Sequence, residues 1–305
     1  MAREVYRAQV DLLVRALRVV ARESSFALKG GTAINLFHRD MPRLSVDIDL
    51  TWLPVEERRE ALANIDAALR RVQNNLEAEL RGVQVRVAEQ GDDKRLLVRQ
   101  GNAEIKIETS PVMRGTVHEP QLLRLVPRAE EEFGFAEMQV VAFTDLYAGK
   151  LVAALDRQHP RDLFDVHQLY RFEGVSDELF RAFLVYVASS NRPPHELLQP
   201  TPLDISAAFH AEFEGMTTES VALAELLGAR ERLVRDIQGR LNGPVLKFLL
   251  ALHDGDPDFK IIGLPQAAEL PAVRWKLLNL RKLRESNQEK HALQRAAIKS
   301  LAVSD

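Results

Sequence analysis

The sequence predicts an α+β protein: a mixed sheet flanked by helices in the first part of the chain, followed by an all-helical C-terminal part. Three observations predict it. Alternating apolar and polar residues, the period of a half-buried strand, are confined to the first half, in VDIDL, VQVRVAE, KRLLVRQ, AEIKIET and MQVVAF. Apolar residues at three- and four-residue spacing flank these runs on both sides. Beyond the helical patterns that begin near Thr144, no strand pattern recurs.

The chain of 305 residues has room for one large domain or two unequal ones. With 46% hydrophobic and 28% charged residues it has the composition of a folded globular protein, not a disordered one. The formal net charge of -3 gives no bulk attraction to nucleic acid, so any such role must rest on a local basic face. There is no cysteine, which excludes disulfides, thiolate metal sites and cysteine nucleophiles.

The opening MAREVYRAQVDLLVRALRVVARE reads as an amphipathic helix and not as a signal peptide. No run is long and apolar enough for a membrane span, so no membrane association and a cytoplasmic location are expected. Next, SSFALKGGTAINLFHRDMPRLSVDIDLTWLP reads as strand, turn, short helix, loop and strand. Leu62, Ile65, Leu69, Val72, Leu76 and Leu80 then form the stripe of a long helix, with Pro54 near its start. Residues 83 to 109 read as an antiparallel meander punctuated at Gly91-Asp92-Asp93 and Gly101-Asn102. A loop rich in Arg and Glu precedes the strand MQVVAF. TDLYAGKLVAALDR, with Thr144 or Asp145 as cap, and RDLFDVHQLYRF after Pro160 read as helices.

SSNRPPHELLQPTPLD, with four prolines in sixteen residues, marks the expected boundary between a domain over 1–190 and a helical domain over 191–305. Residues 198 to 229 contain no Lys or Arg, whereas 273 to 299 carry eight basic residues against Glu285 and Glu289. In this last segment Trp275, Leu277, Leu278, Leu280 and Leu283 are available to pack while Arg and Lys point outward. It reads either as a platform for RNA phosphates or as a solvated terminal helix.

Side chains alternate across a strand, so Asp47 and Asp49 share one face of VDIDL while Val46, Ile48 and Leu50 share the other. Two such carboxylates are either a solvated edge or a pair neutralised by a divalent cation, for which Mg²⁺ bound to nucleotide phosphates is the common solution. Gly30-Gly31-Thr32 is either a plain turn or a cradle in which backbone amides and the Thr32 hydroxyl meet a phosphate. In EIKIETS, Glu108 and Lys106 lie opposite Ile105 and Ile107, so Glu108 is a candidate third carboxylate for phosphoryl-transfer chemistry. Lys150 alone reads as a surface lysine, and Asp162 and Asp165 as neighbours on one helix face that can orient Lys150 or Arg161. Ser45, on the side of Asp47, either bonds a carboxylate or satisfies backbone at the strand start. The eight histidines form no H-E-x-x-H spacing, and G-x-S-x-G and Walker A patterns are missing too, which argues against zinc-hydrolase and P-loop chemistry. His38, His159 and His167 read as helix-end or surface residues.

The run LKGGTAINLFHRDMPRLSVDIDL resembles the G-[GS]-[ST]…R-x-S-x-D-[IL]-D-[LF] signature of the MenT-like AbiEii/AbiGii toxin family, within the polymerase-beta-like nucleotidyltransferase superfamily. DLYAGKLVAALDRQHPRDLFDVHQLY is similar to that family's K-L-x-A…R-D-x-x-D-[LV] element, and the two runs span roughly residues 27 to 170. The resemblance implies a polymerase-beta-like domain and assigns roles. Asp47 and Asp49 would bind metal, and Glu108 would be the third carboxylate at a position where many relatives carry Asp. Gly31 and Thr32 would contact nucleotide phosphate, and Arg43 and Ser45 fill the R-x-S positions, placing Ser45 beside the nucleotide. Lys150 would grip the triphosphate, Asp165 would be the acidic residue required for activity, and Arg161 with Asp162 the preceding R-D pair. It further implies Mg²⁺, with Mn²⁺ as substitute, an NTP substrate, transfer to RNA with a tRNA acceptor end as the expected target, a block of translation, an abortive-infection role in phage defence, and a cognate antitoxin. Transfer to a protein or small molecule, and a non-catalytic nucleotide- or RNA-binding module, are the competing expectations.

Overall fold

A computed structural model describes residues 2–90 and 93–301. The turn expected at Gly91-Asp92-Asp93 falls largely outside the described residues. By compactness the chain forms two units: Met1–Ala142 with Met216–Glu219, and Phe143–Gly215 with Ser220–Asp305. The proline-rich stretch lies inside the second unit, and the helices bearing Lys150 and Asp165 belong to that unit.

In the first unit, α1 (Ala2–Val20) leads into β1 (Phe26–Lys29), a short helix α2 (Gly30–Ala33) and β2 (Asp47–Trp52). The long helix α3 (Arg58–Glu79) follows, then the meander β3 (Gln84–Gln90), β4 (Asp93–Gln100) and β5 (Ala103–Thr109). β6 (Gln121–Arg124), α4 (Pro127–Phe133) and β7 (Glu137–Val140) close the unit. The seven strands form one sheet in the order β3-β4-β5-β2-β1-β7-β6. The sheet is mixed, as expected: β2 runs parallel to β5 and β1 parallel to β7, while the other pairs are antiparallel.

The loop expected before MQVVAF contains two elements, β6 and α4. QLLR is mostly exposed at a sheet edge, so it carries no buried alternation to betray a strand. α3 begins at Arg58 rather than beside Pro54. α1 and α3 pack on one face of the sheet, where Ile48, Leu50, Leu96, Val98, Ile105 and Ile107 are buried. The opposite face carries the polar members of the same strands.

The second unit is helical: α5 (Phe143–Asp156), α6 (Pro160–Phe172), α7 (Asp177–Ser189), α8 (Pro194–Leu198), α9 (Ser206–Glu212), α10 (Leu223–Gln238), α11 (Gly243–His253), α12 (Pro271–Ser286) and α13 (Gln288–Ser300). α5 packs on α6 and α7, and α10 on α6. On α12 the inward face is Ala272, Val273, Lys276 and Leu280. That phase corrects two expectations. Trp275 and Leu278, expected to pack, are 52% and 57% exposed, and Lys276, expected outward, is buried with its ammonium donating to the Arg192 carbonyl at 2.6 Å. No described helix is long and apolar enough to cross a membrane.

Candidate active site

The polar face of the first unit's sheet concentrates charge at its centre. β2 sits between β1 and β5, and the registers set Lys29 opposite Asp49, Asp49 beside Glu108 and Glu108 opposite Arg95. Residues directly opposite in a sheet present their side chains on the same face. Four strands therefore carry one row: Lys29, Asp49, Glu108, Arg95. Asp47 occupies the neighbouring row beside Lys106. Both aspartates are half-buried, while Ile48 and Leu50 between and after them are fully buried.

The glycine pair is required by close approach. Gly30 has φ +74°, in the left-handed region, and a Cβ there would overlap the Asp49 carboxylate, with Cγ at 3.0 Å. A Cβ on Gly31 would lie 2.6 Å from Arg43 Nη2 and 2.9 Å from Ser45 Oγ. The bare backbone thus lets the turn sit against the carboxylate and the guanidinium. After Ala33 the helix widens, with Arg39 N–H donating to the Ile34 carbonyl at 2.8 Å, a five-residue step often found next to functional sites.

Hydrogen bonds fix the loop ahead of β2. Thr32 is fully buried, and its hydroxyl donates to the Asp47 carbonyl at 2.6 Å. With that proton committed, it accepts from Ser45 Oγ at 3.0 Å. Thr32 therefore braces the strand start, a use the phosphate-cradle expectation did not foresee. Ser45 precedes the strand instead of sharing its face, and its N–H donates to Tyr6 Oη at 3.2 Å. Buried Asn35 donates to the Gly31 carbonyl at 2.7 Å and accepts from the Arg43 N–H at 3.2 Å. Residues 216 to 219 return to this unit and clamp the same loop: Leu44 N–H donates to the Met216 carbonyl at 2.9 Å and Thr218 N–H to the Pro42 carbonyl at 3.0 Å.

Asp47 and Asp49 supply hard carboxylate oxygen donors on one strand face, and Asp49 lies against Gly30, where a Cβ would overlap it. Mg²⁺ in nucleotide sites takes one or two protein carboxylates and completes its shell with phosphate oxygens and water. The pair fits that ion. Among the described residues no three His, Asp or Glu side chains gather as a ready-made metal cage, and Glu108 is instead 3.7 Å from Arg95.

In the second unit the helix pair α5 and α6 builds a separate charge cluster. Lys150, 7% exposed, sits 2.7 Å from Asp162 Oδ1 and 3.0 Å from Asp165 Oδ2. Arg157 adds Nε at 2.5 Å from Asp162 Oδ2 and Nη2 at 3.1 Å from Oδ1. Burial alone would raise the Asp162 pKa, but Lys150 and Arg157 outweigh it and hold the carboxyl well below the ordinary range. The two aspartates thus orient Lys150 and not Arg161, whose Nη2 lies 3.6 Å from Glu212. His159 caps α6 by accepting from Arg161 N–H at 3.2 Å, in line with its reading as a helix-end residue.

The model of the AbiEii nucleotidyl transferase toxins of type IV toxin–antitoxin systems matches residues 11–277. The chain belongs to the AbiEii family. It is a nucleotidyltransferase of a toxin–antitoxin system, in the family that its two signature runs resemble. No curated protein matches the sequence significantly. Among solved structures, it is similar to MenT4, a nucleotidyltransferase toxin of Mycobacterium tuberculosis H37Rv, with a TM-score of 0.56, 20% identity and 91% of this chain and 92% of that chain covered. At that identity the likeness is one of fold. Within this AbiEii chain, Lys29, Arg95 and Arg157 were missed from the sequence. Lys29 and Arg95 become neighbours of the carboxylates only through strand register, and Arg157 lies five residues before its partner across a helix break.

Proposed function

We propose that this AbiEii protein transfers a nucleotide from an NTP to the 3′ hydroxyl of an RNA, with a tRNA acceptor end as target and pyrophosphate as leaving group. The observation that carries the reading is the half-buried pair Asp47 and Asp49 on one strand face, with the Asp49 carboxylate directly against Gly30. Mg²⁺, when bound by this pair, supplies the positive charge that orients a triphosphate and acidifies an attacking hydroxyl. Asp47 and Asp49 hold their places through β2, and Thr32 and Ser45 brace the strand start. Gly31, packed against the Arg43 guanidinium and the Ser45 hydroxyl, takes the nucleotide-phosphate role that the family signature gives it. Glu108 is one strand away and orients its neighbours through Arg95 or joins the carboxylate pair. Lys150, steered by Asp162 and Asp165, is the residue we assign to the triphosphate's negative charge, with Asp165 and Arg161 in the roles the family signature gives them.

The helical segment over 191–305 is the proposed RNA- or partner-binding part. On α12, Trp275, Leu278 and Lys282 follow at helical spacing on the exposed side, which suits stacking on a base beside a phosphate contact. Modification of tRNA would block translation, and a cognate antitoxin would relieve it. Incubation of the protein with each α-labelled NTP, Mg²⁺ or Mn²⁺, pooled cellular RNA and cellular protein tests this. Label in the tRNA fraction is expected. Label in protein or in a small molecule would replace the acceptor, and nucleotide binding without pyrophosphate release would replace catalysis.

A further inference from the structure

The carboxylate row is flanked by positive charge that the chain itself supplies. Lys29 is the last residue of β1, where Phe26, Ala27 and Leu28 are buried, and it stands directly opposite Asp49 in the antiparallel register. Its backbone is extended, with φ −134° and ψ −169°, so its side chain leaves the sheet on the Asp49 side. The next residue, Gly30, lies against the Asp49 carboxylate itself. At the other end of the row Arg95 pairs with Glu108 at 3.7 Å.

We propose that Lys29 is a positioning residue, a tethered counter-ion that holds the Asp49 carboxylate before a divalent cation binds and competes with that cation for it. The inference rests on the reading of Asp47 and Asp49 as the metal pair. Two carboxylates on one strand face, with a third one strand away, repel one another unless cations neutralise them. Lys29 provides that neutralisation while no ion is bound. Lys29 stands directly opposite Asp49 in the register, which puts the ammonium and the carboxylate on the same sheet face at neighbouring positions. An entering divalent cation meets the same carboxylate beside a fixed ammonium, and like charges that close weaken each other's binding. Removing the ammonium therefore tightens the cation.

The test measures Mn²⁺ binding to the nucleotide-free full-length protein by the loss of the free-ion electron paramagnetic resonance signal. Lys29→Met and Lys29→Gln should each bind Mn²⁺ about tenfold more tightly than the parent, roughly what one pKa unit of interaction corresponds to. Lys29→Arg, which keeps the charge, should bind as the parent does. Thermal melting verifies that each variant is folded. Equal Mn²⁺ affinity in parent, Met and Gln variants would overturn the counter-ion role, as would weaker NTP binding with unaltered Mn²⁺ affinity, which would make Lys29 a phosphate contact. Mn²⁺ binding that survives in Asp47→Asn/Asp49→Asn would overturn the metal-pair reading itself, so the two failures are distinct.

Discussion

Replacing Lys150 with Met tests how far the α5–α6 cluster depends on its lysine. The substitution keeps most of the side-chain volume and removes one charge from between Asp162 and Asp165, whose side chains are 2% and 0% exposed. Removing one partner of a buried ion pair costs about 3–5 kcal/mol, because the other is left charged in a poor solvent. Arg157 still reaches Asp162 in the variant, which places the cost at the lower end, about 3 kcal/mol. At about 2–4 °C per kcal/mol for a unit of this size, melting should fall by about 6–12 °C. Urea unfolding followed by circular dichroism gives the energy, read from the transition of the helical unit. Neutralising the leftover charge with Lys150→Met/Asp165→Asn should recover at least about 1 kcal/mol. The pH dependence has a definite sign. Asp162 is held below its unfolded value, so its pairing stabilises above that value and is lost as pH falls through the folded one. The gap between parent and variant should stay constant from pH 8 to about pH 5 and narrow below about pH 4. A loss under about 1 kcal/mol at neutral pH would refute the buried-cluster reasoning.

Two further outcomes follow from other parts of the molecule. Gly31→Ala places a methyl 2.6 Å from Arg43 Nη2 and 2.9 Å from Ser45 Oγ, so it should cost about 1–3 kcal/mol and lower transfer; an unaltered urea midpoint would contradict the packing. His253 stacks on His291 at 4.4 Å between ring centroids, and burial keeps its pKa below the ordinary value, with His291 and His195 opposing protonation while the His291 carbonyl and Asp254 favour it. The unfolded chain then takes up the proton first, so this contribution to stability is full above about pH 6.5 and declines as pH falls toward the folded value. His253→Gln should flatten the loss of melting temperature between pH 7 and pH 5; a slope equal to the parent's would contradict it.

Much of the architecture was legible because burial writes itself into sequence period. The meander of β3 to β5 and the stripe of α3 alternate as their sheet and helix faces require. β6 was not legible, since an exposed edge strand makes no alternation. The aspartate pair announced itself as D-x-D on one strand face, and the glycine pair as punctuation. What the glycines do is set by tertiary approach, of Gly30 to Asp49 and of Gly31 to Arg43, where a Cβ would crowd those side chains. Lys29 and Arg95 stand 20 and 13 residues from the carboxylates they flank, a distance that local pattern does not bridge and strand register does. The exposed stripe of α12 depended on helix phase, which Ala272, Val273 and Leu280 set by packing inward. Trp275 and Leu278 looked like core by composition alone.

Asp47 and Asp49 are the proposed transfer centre. The most direct measurement is incorporation of α-labelled nucleotide into RNA by the parent and by Asp49→Ala, with folding of both verified by circular dichroism. Labelled RNA is expected with the parent and a loss of at least about a hundredfold in the variant. Transfer by folded Asp49→Ala at the parental rate would contradict it.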